Sequence, residues 1–220
     1  MPWTGNRGII KRILNPTPTI QSNPQITKVL SIIPEGGIIV DLGAGGRKIT
    51  PECVTIDFAR IGDTNVVADI HNIPLKDEAV DCLFCTGTIE HVHSPETVLK
   101  EILRVLKNDG IIYIDVPFMQ CYHPDPVDYW RFTIKGIELI CTRNGFTKIE
   151  TGVNIGSASS VTWILMAFSR TIFSNRIINK LFSTIFSMLV SPVKYLDKYT
   201  IKGKNSIIAP SAVYFIGIKK

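Results

Sequence analysis

The chain is predicted to fold as an α/β domain on a doubly wound, mostly parallel sheet. Three observations carry that expectation. The first is the run Ile38-Ile39-Val40-Asp41-Leu42-Gly43-Ala44-Gly45-Gly46, in which apolar and β-branched residues lead into an acid and then into closely spaced glycines. A buried parallel strand has this pattern when it ends in a turn that lets backbone approach a ligand. The second is Val54-Thr55-Ile56-Asp57, a short strand ending in a carboxylate sixteen residues after Asp41. A carboxylate at the carboxyl edge of an open α/β sheet suits the two hydroxyls of a ribose. The third is the alternation of strand-like and helix-like segments through residue 152, which implies helices on both faces of a parallel sheet.

The elements follow in order. Residues 1–22, rich in Pro, Asn and Thr, hold one basic amphipathic turn at 8–14. Asn23-Pro24 then opens a helix expected to reach about residue 33. Strands are expected at 37–41, 53–57, 65–68, 80–85, 110–116, 146–152 and 211–218, each apolar or β-branched and bounded by Gly, Asp, Asn or Pro. Helices are expected at 94–107, where Ser94-Pro95-Glu96 supplies an N-cap, a first-turn proline and a first-turn acid, and at 133–143, which stops at Asn144-Gly145. Only about seven residues separate Gly46 from Val54, too few for a full crossover helix. Residues 156–204 form an insertion of two or three amphipathic or apolar helices before the last strand. The expected organisation is one domain over 1–220, with a core at about 24–153 and 207–220 and this insertion as a helical cap.

Composition agrees with one globular core, since 220 residues with 45% hydrophobic and 20% charged side chains can bury one. The net charge of +5 is unevenly divided. Residues 151–220 hold nine Lys or Arg against the single acid Asp197, a charge of +8, while residues 1–150 hold fifteen against eighteen, a charge of −3. A basic segment this apolar points to an anionic membrane surface rather than to nucleic acid. Five cysteines (Cys53, Cys82, Cys85, Cys121, Cys141) are an odd number in a chain too long to need disulfide staples. A reducing compartment is expected. Met1 to Pro16 shows no secretory h-region, and the longest uncharged apolar candidate, residues 181–193, is too short to span a bilayer. A cytoplasmic protein, peripheral to the inner face of a membrane, is expected.

Four segments together resemble a known family, the class I S-adenosylmethionine-dependent methyltransferases, and within it the small-molecule "type 11" branch. They are VDLGAGG (40–46), TIDF (55–58), VVADIHNIPLKDEAVDCLFCTGTIEHV (66–92) and LKEILRVLKNDGIIYIDVP (99–117). The resemblance covers about residues 36–152 in order and spacing. It implies a Rossmann-like methyltransferase sheet of seven strands whose last strand is antiparallel, and S-adenosyl-L-methionine as cofactor. It also implies that Asp41, Gly43 and Gly45 line the amino-acid end of the cofactor and that Asp57 holds the ribose hydroxyls. Asp69 and the Ile70 backbone would meet the adenine, and Thr86 and Gly87 would lie under the sulfonium. The family's third glycine, two positions after Gly45, is here Arg47, which leaves the binding of the cofactor carboxylate open and offers Arg47 as a charge-assisted donor for it. A dinucleotide is disfavoured, because G-x-G-x-x-G is absent and no full helix follows to receive a pyrophosphate.

Methyl transfer from sulfonium is an in-line displacement, helped by positioning and, for an oxygen or nitrogen acceptor, by a base. Two segments at the carboxyl ends of central strands offer candidates. After strand four comes Thr88-Ile89-Glu90-His91-Val92-His93, where the resemblance places His91 just past the methyl donor. After strand five comes His123-Pro124-Asp125-Pro126-Val127-Asp128-Tyr129-Trp130-Arg131-Phe132-Thr133. Here His123 is the base candidate because imidazole titrates near neutrality, with Asp128, Tyr129, Trp130 and Arg131 as acceptor-binding residues. The competing expectation is a packed lid, anchored by Trp130 and Phe132, in which Asp128 and Arg131 pair with each other. The HPDPVDYWRFT block is similar to a loop of relatives near polysaccharide and glycolipid pathways. His71 and His93 are expected at the surface, and no metal site is expected, because nothing local sets a ligand spacing.

The expected function is therefore methyl transfer to a small-molecule or lipid-linked acceptor, in a glycan or glycolipid setting, without a nucleic-acid partner. The alternative is a non-catalytic, membrane-peripheral binding module that keeps the fold. The insertion, with Arg170, Arg176, Lys180, Lys194 and Lys198 among apolar helices, is either a buried cap or an interfacial helix pair.

Overall fold

The computed structural model describes Thr17, Thr19 and residues 23–220, so the expected basic turn at 8–14 lies outside the described residues. The described residues form two compact units: residues 23–117, 123–152 and 213–220 make one, and residues 118–122 and 153–212 with Thr17 and Thr19 the other. A sheet of seven strands runs in the order Val66–Val67, Val54–Asp57, Ile39–Leu42, Val80–Thr86, Leu106–Pro117, Ala212–Lys219 and Phe146–Ile155, with the last strand of the chain antiparallel to its neighbour.

In the first unit, helix α1 (Pro24–Leu30) starts where the Asn23 side chain accepts a hydrogen bond from the Ile26 amide. Strand β1 (Ile39–Leu42) pairs in parallel with β2 (Val54–Asp57) and with β4 (Val80–Thr86), placing Val40 beside Val54 and Leu83. The edge strand β3 (Val66–Val67) pairs in parallel with β2. Covered on both faces, β1, β2 and β4 need apolar residues at consecutive positions, which is why they read as continuous runs. Cys82 and Phe84 face a cluster with Val29, Ile111, Tyr113, Tyr214 and Ile216. Leu83 and Cys85 point the other way, and none of the five cysteines is in a disulfide.

Helix α2 (Pro95–Val105) buries Val98, Leu99, Ile102 and Val105, one stripe at helical spacing. Its Ser94 hydroxyl pairs with the Thr97 hydroxyl and gives no side-chain cap, unlike the expected one. Strand β5 (Leu106–Pro117) starts directly after α2, four residues before the expected position. The Asn108-Asp109-Gly110 turn signal marks a bulge within the strand: Val80 pairs with Leu106 and Cys82 with Ile111, with Asp109 at φ 61°. Helix α3 (Ile134–Arg143) is capped by Thr133, whose hydroxyl accepts from the Gly136 amide, and stops at Asn144-Gly145 as expected. Strands β6 (Phe146–Ile155) and β7 (Ala212–Lys219) complete the sheet.

No helix fills the first crossover. Instead, Gly46 packs directly on Gly62: a Cβ on Gly62 would stand 2.3 Å from the Gly46 carbonyl oxygen, and one on Gly46 would stand 2.9 Å from the carbonyl of Ile61. This close approach of two backbone segments explains why a glycine stands at 46, and the missing third glycine falls outside it.

The second unit contains α4 (Ser157–Ser169), α5 (Arg176–Val190) and the short α6 (Asp197–Thr200), with 3₁₀ turns at Ser191–Leu196 and Lys204–Ile207. Asp197 is buried at the start of α4, where its carboxylate accepts from the Ala158 amide at 3.0 Å and from the Ser159 hydroxyl at 2.5 Å. A carboxylate at a helix N-terminus satisfies orphan amides and the positive end of the dipole. The only acid of residues 151–220 is therefore spent internally and neutralises no surface charge. Outside this cap, α5 leaves Ile177 (80% exposed), Leu181, Ile185 and Leu189 (74%) in an uncovered stripe.

Candidate functional site

A cavity of about 590 Å³ opens at the carboxyl ends of β1, β2 and β4. Its floor is the turn after β1. Gly43 and Gly45 take φ of 67° and 58°, a region other residues enter at a cost, and the Gly43 amide donates to the Ile56 carbonyl at 2.8 Å. The space over Gly43 is shut by Thr88, whose methyl and hydroxyl would lie within 2.5 Å of an added Cβ, whereas a Cβ on Gly45 would meet nothing within 4 Å. Gly45 is thus the point where backbone faces open space.

Asp57, at the end of β2, is 3% exposed, and its Oδ2 accepts from the Gly45 amide at 2.9 Å. One carboxylate oxygen therefore holds the glycine turn. Beyond Asp57 the wall is an apolar slot of Phe58, Ile61, Val67 and Ile70, bordered by Asp69. The His71 amide and ring each bond the Asp69 carboxylate, and these contacts hold its pKa below the ordinary range. His71 and His93, expected at the surface, both line the cavity with ring centroids 4.3 Å apart, although His93 is itself exposed. The turn at Asp69–Ile73 folds the first of them back against the second, a contact that no local pattern announces.

Asp41 lies behind the glycine turn, 3% exposed, with its Oδ1 bonded to no described group. Burial pushes its pKa up to about 7; Arg47 pulls against that shift and Asp57 adds to it. The cavity thus has a glycine floor with open space above Gly45, the Asp57 carboxylate at its edge and an apolar slot beyond it, with the buried acid Asp41 behind the floor. Those features fit a nucleoside bearing an amino-acid tail.

The other end of the cavity is formed by Gly87, Thr88, His91, Val127 and Tyr129. The loop after β5 is stitched over the 3₁₀ turn Ile89–His91: the Tyr129 and Trp130 amides both donate to the Glu90 carbonyl, and Trp130 Nε1 donates to the Val92 carbonyl at 2.9 Å. Arg131 and Asp128 form a bidentate pair at 2.5 and 2.6 Å, and the His123 amide also donates to Asp128. Burial would raise the Asp128 pKa, but Arg131 and the His123 amide outweigh it and hold it at about 2.

Of the residues expected at the cofactor, Gly43, Gly45, Asp57, Asp69, Ile70 and Gly87 share the cavity wall, while Asp41 and Thr86 do not reach it. Of those expected at the acceptor, His91 and Tyr129 line it, and His123, Asp128, Trp130 and Arg131 stand outside its lining. His123 is nonetheless beside His91, ring centroids 5.3 Å apart. Between them lies Glu90, to which the sequence reading assigned no role. It is 1% exposed, and burial pushes its carboxyl up to about 8. Its only signal was an acid between Ile89 and His91, which by itself does not predict burial.

Comparison with known proteins places this geometry in context. Residues 41–114 match the type 11 model described as a methyltransferase domain. A sterol 4-C-methyltransferase of Caenorhabditis elegans is 24% identical over 165 residues, covering 69% of this chain and 48% of its own length. A tRNA U34 carboxymethyltransferase of Campylobacter lari is 28% identical over 95 residues, 38% of this chain and 32% of its own. The chain thus spans about half the length of the first of these relatives, and less of the second. A SAM-dependent methyltransferase from Thermotoga maritima superposes with a TM-score of 0.57 at 19% identity, over 89% of this chain and 87% of that one.

Proposed function

This chain carries a class I S-adenosylmethionine-dependent methyltransferase domain of the type 11 branch, and on that premise we propose that it methylates an oxygen of a small or lipid-linked acceptor. The observation that supports this most is the single cavity wall shared by the glycine turn and Asp57 at one end and His91 and Tyr129 at the other. S-adenosyl-L-methionine, when bound, supplies a methyl group on a positively charged sulfur that leaves as a neutral thioether. Asp57 would hold the ribose hydroxyls and the apolar slot beside Asp69 and Ile70 the adenine. Asp41, behind the glycine turn and off the cavity wall, would attract the ammonium by its charge and Arg47 would take the carboxylate of the amino-acid end, with Gly87 beside the sulfur.

An acceptor hydroxyl must lose its proton as the new bond forms, and the His91–His123 pair promotes that loss. The His91 Nδ1–H faces the Val127 carbonyl at 2.5 Å, which leaves the lone pair on Nε2. Trp130, through its bond to Val92, and the Asp128–Arg131 pair set the position of the loop that presents His123 and Tyr129. Titration with S-adenosylmethionine and S-adenosylhomocysteine tests the reading. Micromolar binding of both is the expected result; absence of binding would favour a non-catalytic module.

The raised pKa of Asp41 gives this binding a pH signature. Below about pH 7 the free protein holds Asp41 protonated, and an ammonium partner favours the ionised form, so binding releases a proton. Affinity should rise as pH climbs through about 7 and fall again above roughly 8, where an α-amino group deprotonates. Asp41→Asn should flatten the rising limb; a rising limb unchanged in that variant would remove Asp41 from the amino-acid end.

No helix among the described residues is long and apolar enough to cross a membrane. The support for a membrane-bound acceptor is the exposed stripe Ile177, Leu181, Ile185 and Leu189, flanked by Phe168, Phe173, Arg170, Arg176 and Lys180 with no acid nearby in sequence. The chain should float with anionic vesicles and less with neutral ones, and Leu181→Asp with Leu189→Asp should abolish flotation. Equal recovery with both lipids would count against it.

A further inference from the structure

We propose that Glu90, His91 and His123 form a binding site for one divalent transition-metal ion of the zinc class, at the acceptor end of the cavity. The three residues offer one ligand atom each, all within 4.8 Å of one another. Glu90 Oε1 lies 3.8 Å from His91 Nε2 and 3.9 Å from His123 Nε2. Ligands on a tetrahedral zinc with bonds near 2.1 Å stand about 3.4 Å apart, so the two Glu90–histidine distances need to close by only about half an ångström.

Independent features of each residue support the same site. Glu90 is 1% exposed and its Oε2 bonds to no described group, a costly state for a carboxyl that a cation would relieve. His91 is oriented through its Nδ1 by the Val127 carbonyl, the arrangement that fixes the tautomer of a metal-binding imidazole and directs Nε2 inward. Behind His123, Asp128 Oδ2 lies 3.6 Å from Nδ1, a carboxylate on the outer side of a ligand ring. Arg131 Nη2, which can only donate, is 3.3 Å from the same nitrogen and pairs with Asp128, so ligation through Nε2 requires the Nδ1–H to turn to Asp128 in place of the Arg131 contact. Two imidazoles and one carboxylate suit zinc-class ions over magnesium or calcium, which prefer all-oxygen shells.

Three protein ligands leave a coordination position open, and His91 is on the cavity wall. The role of the ion rests on the methyl-transfer reading: an acceptor hydroxyl on the open position is acidified and releases its proton to solvent. Its oxygen then takes the methyl as the S–CH₃ bond breaks and its electron pair returns to sulfur. No oxidant or reductant enters. The ion thus does the work that a free imidazole base would otherwise do.

The test is titration of chelator-treated full chain with Co²⁺, followed by its visible d–d bands, and with Zn²⁺ by calorimetry. One equivalent should bind. Glu90→Gln and His123→Ala should each weaken binding by roughly tenfold or more, and His91→Ala with His123→Ala should abolish it. No stoichiometric uptake, or uptake unchanged in the double variant, overturns the site. Retained S-adenosylmethionine binding in each variant reports that the fold survives. In the unsubstituted chain, no metal uptake with intact cofactor binding sinks the metal site alone, and metal uptake without cofactor binding sinks the cofactor reading alone.

Discussion

Asp57→Ala is expected to weaken S-adenosylmethionine binding by on the order of 10²-fold or more, the largest single effect on the cofactor side. The side chain is buried at the end of β2 and already spends Oδ2 on the Gly45 amide. Truncation removes the acceptor for the ribose hydroxyls, where charge-assisted hydrogen bonds are worth about 1.5–3 kcal/mol each. It also leaves the Gly45 amide without its partner and frees the turn that forms the cavity floor. Asp57→Asn keeps the volume and one acceptor oxygen and should lose less. Calorimetric titration, with circular dichroism to verify folding, gives the comparison; wild-type affinity in the alanine variant would end the ribose assignment.

His91→Ala should lower the rate of methyl transfer by about 10²–10⁴-fold while leaving cofactor affinity within a factor of about three. This split separates the acceptor side from the cofactor side. His91 lines the cavity opposite the glycine turn, bonds Val127 through Nδ1 and lies 3.8 Å from Glu90 Oε1 through Nε2. None of these contacts touches Gly43, Gly45 or Asp57. Transfer of labelled methyl from S-adenosylmethionine across a panel of hydroxylated metabolites and lipids provides the assay. An unchanged rate would move the proton-handling role elsewhere, and a matching loss of cofactor binding would make His91 a structural residue.

The glycine turn and the strand-end Asp57 at the cavity were legible in the sequence because their signals are local. A strand period, an acid and a pair of glycines at positive φ are properties of a few consecutive residues, and so is the Asp57 that ends the next strand. The bulge at residues 107–110 was not legible, because Asn-Asp-Gly is the same turn signal whether it ends a strand or buckles one. Gly46 posed a similar problem. Its neighbour Gly62 is sixteen residues away, and only their packing shows why both are glycine.

By itself the sequence determined the order and type of the elements, the short crossover without a helix, the helical insertion before β7 and the glycine–acid pattern of the cavity floor. Each depends on hydrophobic period, turn chemistry or backbone freedom over a short window. Tertiary structure alone decided that Glu90 meets a histidine 33 residues later, that His71 lies against His93, and that Asp197 is turned inward to cap α4. The physical reason is that burial and proximity are set by how distant segments pack. A carboxyl in solvent and a carboxyl between two imidazoles carry the same letter in the sequence, and only the surrounding fold makes them chemically different.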